Sequence, residues 1–233
     1  MTMPDAVHAS THSITFPFGA RTREAYLARP EGDGPFPGIV VIHEIDGLND
    51  HIRDVAARFA RQGYVALAVD LLAGRNRTVC MARFIGQLVS RSPNNSSVSE
   101  LKAALTHLAA QPGVDAARLG AVGFCMGGSF AVLWACTDDR LKAIAPFYAQ
   151  NPRPLEAARR MCPVVGSYPE ADFTARFGRA LDATLTRYAI PHDIKVYPGA
   201  KHSFFNDQGK SYDPAASTDA WARVTAFFAA HLK

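Results

Sequence analysis

Short apolar runs that alternate with amphipathic segments constrain the fold of this chain more than any other feature. Two early runs of strand length, FPGIVVIHE (Phe36–Glu44) and YVALAVD (Tyr64–Asp70), are apolar almost throughout and rich in Val, Ile and Ala. Such runs are typical of strands that are buried on both faces of a parallel sheet. Between them, apolar residues recur at helical spacing, which predicts a helix over Asp50–Gln62.

The alternation continues along the rest of the chain. Further strands are predicted at residues 118–125, 141–148, 162–169 and 193–198, and further helices at residues 126–136, 173–188 and 220–233. Strands that alternate with helices build a mostly parallel central sheet with helices on both faces. Because no internal repeat or linker is visible, we predict one α/β domain over residues 1–233.

Local signals refine this prediction. The segments SITFPF and EAYLARP predict a hairpin around the turn GART. Ser97 and Glu100 have the spacing of a capping box, which predicts that they open the helix ELKAALTHLAAQ. In the helix predicted at 173–188, five residues fall on one side: Phe173, Phe177, Leu181, Leu185 and Tyr188.

Composition and charge exclude several classes of protein. The chain is 48% hydrophobic and 20% charged, which suits a globular domain with a full core. Its net charge of +4 is scattered, which argues against a nucleic-acid partner. No apolar run approaches the roughly 18 residues that span a bilayer, and the first residues do not resemble a signal peptide. Four cysteines without a C-x-x-C pair predict reduced thiols, no zinc site and a cytoplasmic location.

The stretch VGFCMGG places a cysteine between glycines at a predicted strand-to-helix junction. Gly123, Cys125 and Gly127 form G-x-C-x-G, the spacing of a nucleophile elbow with cysteine in place of serine. A sharp turn there brings the flanking positions close together, where side chains would clash, and leaves the first helical N–H groups free. We therefore interpret Cys125 as a nucleophile. The alternative is a buried cysteine that only packs.

A nucleophile of this type needs a base and a group that orients the base. The chain order in such sheets is nucleophile, acid, histidine, and Asp172 and His202 follow two later strands in that order. Glu170 is an alternative to Asp172. The other histidines fit less well, because His192 precedes a strand and His231 lies in the last predicted helix.

The segment HEIDGLND follows the first long apolar run, where a second oxyanion donor is expected. We predict that the backbone N–H groups of Ile45 and Met126 form the oxyanion hole. Glu44 would then lie beside the thiol, and would either keep it protonated or accept its proton. A carboxylate that only caps the loop or pairs with an arginine is the alternative. Because HEIDG is not H-E-x-x-H, we predict no metal site here.

Together these segments resemble the dienelactone hydrolase (carboxymethylenebutenolidase) family of the α/β-hydrolase fold. The resemblance runs through HEIDGLND, GYVALAVDLLAGR, VGFCMGG, the Asp172 position and GAKHSF. It implies a triad of Cys125, Asp172 and His202, with Glu44 against the resting thiol and able to deprotonate it when substrate binds. It also implies a thioester acyl-enzyme that water releases, with no metal or organic cofactor.

The chain departs from the family at the residues that hold the substrate's carboxylate. The family uses two arginines. The first corresponds most closely to Arg75, with Arg77 as an alternative, and the second position is occupied here by Asn206. A bidentate charged contact is thus replaced by at best a neutral hydrogen bond, so the sequence does not predict dienelactone itself as the natural substrate.

The leading interpretation is a cysteine-dependent hydrolase whose partner is a small-molecule lactone or ester. A general carboxylesterase or thioesterase is the alternative within enzymes. A non-catalytic binding or redox-sensing protein is the alternative from another class. We expect a monomer, with a dimer as the alternative. The apolar stripe of Phe227, Phe228 and Leu232 is interpreted as the face of the last helix that packs on the sheet, rather than as a partner surface.

Overall fold

A single eight-stranded sheet forms the centre of the computed structural model, which describes residues 9–74 and 76–233. The strands are β1 (Ala9–Phe18), β2 (Arg21–Pro30), β3 (Phe36–Ile42), β4 (Val65–Val69), β5 (Val114–Phe124), β6 (Leu141–Phe147), β7 (Val164–Pro169) and β8 (His192–Tyr197). The α-helices are α1 (Asp50–Arg61), α2 (Arg77–Ser90), α3 (Ser96–Ala109), α4 (Met126–Ala135), α5 (Ala175–Arg187) and α6 (Pro214–Leu232). A 3₁₀ helix covers Leu155–Arg160.

The strand order in the sheet is β1-β2-β4-β3-β5-β6-β7-β8. The β1–β2 hairpin is antiparallel, and β2 also pairs with β4 in antiparallel orientation. All the other neighbouring strands pair in parallel. The predicted hairpin and mostly parallel sheet are therefore confirmed. Parallel pairing brings the carboxyl ends of β3, β5, β6, β7 and β8 to one edge of the sheet.

Two hydrophobic cores cover the two faces of this sheet. Alternate residues of β3 divide between them, because successive side chains of a strand point to opposite faces. Val40 and Ile42 pack in the core that includes residues of α2 to α5, whereas Ile39 and Val41 pack in the core that includes α1 and α6. Phe228 and Leu232 are buried in the second core, so the interpretation of the apolar stripe on α6 is confirmed for these two side chains.

The predicted capping box at Ser97 and Glu100 is wrong. Helix α3 begins at Ser96, and its N-cap is Asn95, whose side chain accepts a hydrogen bond from the Val98 N–H at 3.0 Å. Ser97 Oγ instead donates to Gln87 of α2 at 2.6 Å. Glu100 is fully buried and pairs with Arg23 of β2. Ser97 thus joins α3 to α2, and Glu100 joins α3 to β2. A local sequence pattern contains no information about such contacts between distant segments.

The predicted helix at 173–188 begins two residues later than expected. Phe173 precedes α5 and is 56% exposed, whereas Leu181 and Leu185 are fully buried. Phe173 therefore does not share the buried face of the helix, and its ring contacts lie in the site described below. In the described parts of the chain, no helix combines the length and the apolar character that crossing a membrane requires.

Candidate active site

Cys125 occupies the tight turn between β5 and α4. Its backbone has φ of 54° and ψ of −111°, in the region that non-glycine residues rarely adopt. Two hydrogen bonds hold this conformation, one from the Cys125 N–H to the Phe147 carbonyl at 3.1 Å and one from the Ser129 N–H to the Cys125 carbonyl at 3.0 Å. The side chain is only partly buried. The turn thus fixes the thiol at the carboxyl-end edge of the sheet.

The glycines around Cys125 are required by close backbone packing. A Cβ atom on Gly123 would lie 2.3 Å from the Gly127 carbonyl oxygen. One on Gly127 would lie 2.5 Å from the carbonyl oxygens of both Ile42 and His43, at the end of β3. Distances under about 3 Å are prohibitive, so the G-x-C-x-G spacing is explained by packing of the turn on itself and on the loop after β3.

His202 and Asp172 form a hydrogen-bonded pair after β8 and β7. His202 Nδ1 lies 2.8 Å from Asp172 Oδ2, and the other carboxylate oxygen of Asp172 accepts the Thr174 N–H at 2.6 Å. The alternative acid, Glu170, has an exposed side chain. This geometry leaves His202 Nε2 available for chemistry. No hydrogen bond joins the His202 ring to the Cys125 sulfur in the described residues.

Two aromatic rings, which the sequence analysis did not select, flank His202. The Tyr148 ring centroid lies 4.9 Å from the imidazole centroid, and the Phe173 ring stacks nearly parallel to it at 6.3 Å. Tyr148 follows β6 directly and is fully buried. These rings restrict the orientation of the imidazole, together with the bond to Asp172.

Glu44 is a buried carboxylate that acts electrostatically on the Cys125 thiol, and no hydrogen bond joins the two side chains in the described residues. Its exposed fraction is 4%, and its two oxygens accept hydrogen bonds from Ser203 Oγ at 2.8 Å and Asn206 Nδ2 at 3.3 Å. Burial and the Glu44 charge raise the pKa of Tyr148 well above its usual value. The two neutral donors that bind the Glu44 carboxylate both lie on the loop that carries His202.

The Cys125 thiol is protonated at rest. Burial and then the Glu44 carboxylate raise the pKa of Cys125 to about 12, and the backbone N–H of Met126 opposes this rise by hydrogen bonding to the sulfur. Asp172 and Asp46 add smaller effects in the same direction as Glu44. A thiol in this environment is a weak nucleophile until a neighbouring base removes its proton.

The two predicted oxyanion donors lie at adjoining turns. The Met126 N–H is at the start of α4, where helical N–H groups have no intrahelical acceptor. The Ile45 N–H donates to no acceptor in residues 9–74 and 76–233. The close approach of Gly127 to the end of β3 brings these two turns together.

His43 is a supporting residue that the sequence analysis missed. The buried ring accepts the Leu71 N–H at Nε2, 3.0 Å away, and its Nδ1 donates to the Glu44 carbonyl oxygen. Burial lowers the pKa of His43, which keeps the imidazole neutral and able to make both bonds. His43 thus joins the loop after β3 to the loop after β4 and fixes the backbone of Glu44.

The three residues considered for substrate binding have different positions. Arg75 lies outside the described residues. Arg77 is exposed at the start of α2, with its guanidinium 3.8 Å from the Asp46 carboxylate. Asn206 donates from its amide nitrogen to Glu44, a candidate catalytic group, and its amide oxygen accepts the Gln208 N–H at 3.1 Å.

The fold and the site together define an α/β-hydrolase. A thiol stands at the elbow between a parallel strand and a helix, and an Asp–His pair follows two later strands. Residues 23–232, which are most of the chain, match the model of the Dienelactone hydrolase family. The chain belongs to this family, and it is a dienelactone hydrolase-like hydrolase.

Sequence relatives and solved structures agree with this assignment. A candidate carboxymethylenebutenolidase of Saccharolobus solfataricus is 32% identical, with 90% of this chain and 94% of the relative covered. Another from Synechocystis is 31% identical, with 97% and 99% covered. The crystal structure of a candidate dienelactone hydrolase from Klebsiella pneumoniae is 30% identical with a TM-score of 0.84, covering 95% of this chain and 99% of that one. A dienelactone hydrolase-like promiscuous phosphotriesterase from metagenomic libraries is 26% identical with a TM-score of 0.85, covering 97% and 99%.

Proposed function

We propose that the protein hydrolyses lactones or small carboxylic esters with Cys125 as the nucleophile, through a thioester acyl-enzyme. The observation that carries this proposal is the position of Cys125. It stands at a left-handed elbow, where burial and then the Glu44 charge raise the pKa of the thiol to about 12. A buried carboxylate that acts electrostatically on a protonated thiol can accept the thiol proton once the two groups come within hydrogen-bond reach.

The proposed reaction has two halves. In the first, Glu44 accepts the thiol proton, and the thiolate adds to the substrate carbonyl while the oxyanion is bound by the Ile45 and Met126 N–H groups. The carbon–oxygen bond then breaks, and the leaving oxygen takes the proton back from Glu44. In the second, His202 removes a proton from water, hydroxide adds to the thioester, and the carbon–sulfur bond breaks. The departing thiolate receives the proton from His202, which Asp172 has kept oriented.

The first test is loss of the ultraviolet absorbance of a dienelactone, measured beside cleavage of a neutral p-nitrophenyl ester. We expect Cys125→Ala to abolish turnover with an unchanged circular dichroism spectrum, because only the thiol carries the acyl group. Cys136→Ala is the matched control. It removes a buried thiol at the end of α4 and should retain activity.

The outcomes separate the candidate functions. Lactone cleavage that depends on Cys125 supports the family activity, and shows that this activity tolerates Asn206 at the position of the family's second arginine. Cleavage of the neutral ester without the lactone indicates a carboxylesterase, and a thioester substrate tests the thioesterase alternative in the same assay. If no substrate is cleaved in a Cys125-dependent way, the proposal fails and a binding or redox-sensing protein is favoured.

A further inference from the structure

Three polar side chains join helix α1 to the loop that carries His202, and we call them the α1 clamp. Asp207 lies on this loop, and its two carboxylate oxygens bind two residues of α1. Its Oδ1 lies 3.1 Å from His51 Nδ1, and its Oδ2 accepts from Arg58 Nη2 at 2.7 Å. The His51 side chain is 1% exposed, and those of Arg58 and Asp207 are about one-third exposed.

The clamp keeps the Asp207 side chain ionised. Burial raises the pKa of Asp207, but the hydrogen bonds and charges of His51 and Arg58 outweigh burial and hold this pKa below its usual range. Arg58 also donates from Nε to the carboxylate of Asp54 on the same helix. Two carboxylates therefore fix the planar guanidinium, which in turn fixes the position of Asp207.

The His51 ring packs against residues that adjoin the candidate active site. It contacts the rings of Phe124 and Phe205 edge to face, with 6.0 Å between centroids in each case. These two phenylalanines also stack on one another at 5.4 Å. Phe124 directly precedes Cys125, and Phe205 directly precedes Asn206. The clamp is therefore packed against both the elbow and the loop that carries His202.

The loop that the clamp holds carries both hydrogen-bond donors to Glu44. Asn206, which is next to Asp207 in the chain, binds one carboxylate oxygen, and Ser203 binds the other. The Asn206 N–H also donates to the Ser203 carbonyl at 3.0 Å, so the two donors belong to one turn. Glu44 itself lies in the loop that leads into α1. The clamp thus joins the two segments of the chain that meet at Glu44.

We propose that the α1 clamp positions the proposed base, because it holds the two donors of the His202 loop against the Glu44 carboxylate. Asp207 and Arg58 are then positioning residues that act on the reaction through Glu44. A buried carboxylate that loses its hydrogen bonds turns towards water, where its charge is screened. Loss of the clamp should therefore weaken the effect of the Glu44 charge on Cys125. The effect on turnover rests on the proposed function, whereas the effect on the thiol needs no turnover.

The first test measures the reactivity of the Cys125 thiol and needs no substrate. Alkylation by iodoacetamide is followed at a fixed, mildly alkaline pH by mass spectrometry of the Cys125 peptide. We expect Arg58→Gln to increase the alkylation rate several-fold, because the displaced Glu44 charge then raises the pKa of the thiol less. Asp207→Ala removes both contacts of the clamp and should increase the rate further.

Arg61→Gln is the matched control. Arg61 lies about one turn further along α1 and pairs with Asp54 at 3.6 Å, as Arg58 also pairs with Asp54. In the part of the chain that the structure describes, Arg61 makes no ion pair with Asp207. The control variant removes the same charge from the same helix and should leave the alkylation rate unchanged. Equal rates in Arg58→Gln and Arg61→Gln would overturn the inference.

Combination with Glu44→Gln separates positioning of the base from general loosening of the fold. If the clamp acts through the Glu44 charge, Arg58→Gln should give no further increase in alkylation in a protein that already carries Glu44→Gln. An increase of the same size in both backgrounds would show that the clamp only keeps the Cys125 thiol buried, and the inference would then be wrong.

Turnover of a p-nitrophenyl ester separates failure of this inference from failure of the proposed function. Arg58→Gln should lower kcat several-fold and change KM little, because the clamp orients the proposed base and does not bind substrate. Faster alkylation without cleavage of any ester supports the clamp and counts against the proposed function. Cleavage that depends on Cys125, with alkylation unaffected by Arg58→Gln, keeps the proposed function and overturns the clamp.

Discussion

Backbone strain is concentrated at the candidate active site. Cys125, Tyr148 and Ser203 have φ values of 54°, 40° and 61°, in the left-handed region that non-glycine residues usually avoid. Each such residue costs on the order of 1–3 kcal/mol and persists only where its surroundings fix it. Cys125 directly follows β5, Tyr148 directly follows β6, and Ser203 directly follows the candidate base His202. The surroundings that maintain these conformations also hold the thiol, the buried phenol and the Glu44-binding hydroxyl in place.

The Glu44 charge gives a prediction at the scale of one residue. Glu44→Gln keeps an oxygen that can accept from Ser203 and removes the charge, so the pKa of Cys125 should fall below about 12. At a fixed, mildly alkaline pH, iodoacetamide should therefore alkylate Cys125 several-fold faster than in the unaltered protein. Turnover should nevertheless fall roughly 10²–10⁴-fold, because the proposed base is lost. Mass spectrometry of the Cys125 peptide and steady-state kinetics measure the two effects.

Glu170→Gln is the control for this prediction, since it removes an exposed carboxylate that follows β7. It should leave both the alkylation rate and turnover close to those of the unaltered protein. Unchanged alkylation together with unchanged turnover in Glu44→Gln would contradict the assigned role of Glu44.

At the scale of elements, the elbow depends on contact between two backbones. The turn at the start of α4 lies against the end of β3 because Gly127 has no side chain. The same contact brings the turn that carries Ile45 next to the one that carries Met126. The two proposed oxyanion donors are thus positioned by packing between elements rather than by either loop alone.

Gly127→Ala should disrupt this contact. The new Cβ would lie 2.5 Å from the Ile42 and His43 carbonyl oxygens, and backbone atoms cannot move aside cheaply. We expect a loss of roughly 1–3 kcal/mol in the free energy of unfolding, measured with urea, and a loss of turnover. Gly86→Ala in α2 is the control, because its Cβ would meet no atom within 4 Å. It should stabilise the protein by about 0.5–1 kcal/mol, and an equal effect of both substitutions would refute the packing argument.

At the scale of the whole molecule, a buried ion pair joins the antiparallel edge of the sheet to a helix. Arg23 Nε of β2 lies 2.9 Å from Glu100 Oε1 of α3, and the two residues are 6% and 0% exposed. The pair fixes the N-terminal hairpin to the layer of helices on one face. Removing one partner of a buried pair leaves a charge without compensation.

Arg23→Met should therefore lower the free energy of unfolding by roughly 3–5 kcal/mol. The matched substitution Arg53→Met breaks an exposed pair with Asp50, where the side chains are 44% and 82% exposed, and should cost less than about 1 kcal/mol. Urea denaturation of both variants makes the comparison. Equal losses would show that the Arg23–Glu100 pair does not hold the hairpin.

The sequence by itself determined the order of strands and helices, because buried parallel strands and amphipathic helices have distinct local periods. It also indicated the elbow through the G-x-C-x-G spacing, and it placed Asp172 and His202 after later strands of the same sheet edge. These conclusions need only neighbouring residues and the chain order of the fold.

Only the tertiary structure decided the contacts between distant segments. It joined His202 to Asp172 rather than to Glu170, directed Asn206 and Ser203 to Glu44, and placed the Tyr148 and Phe173 rings against the imidazole. It also showed that Glu100, which was predicted to cap a helix, forms a buried ion pair with Arg23. The physical reason is that these partners lie far apart in sequence on loops whose conformations have no period. Their contacts exist only once the sheet has brought the loops to one edge.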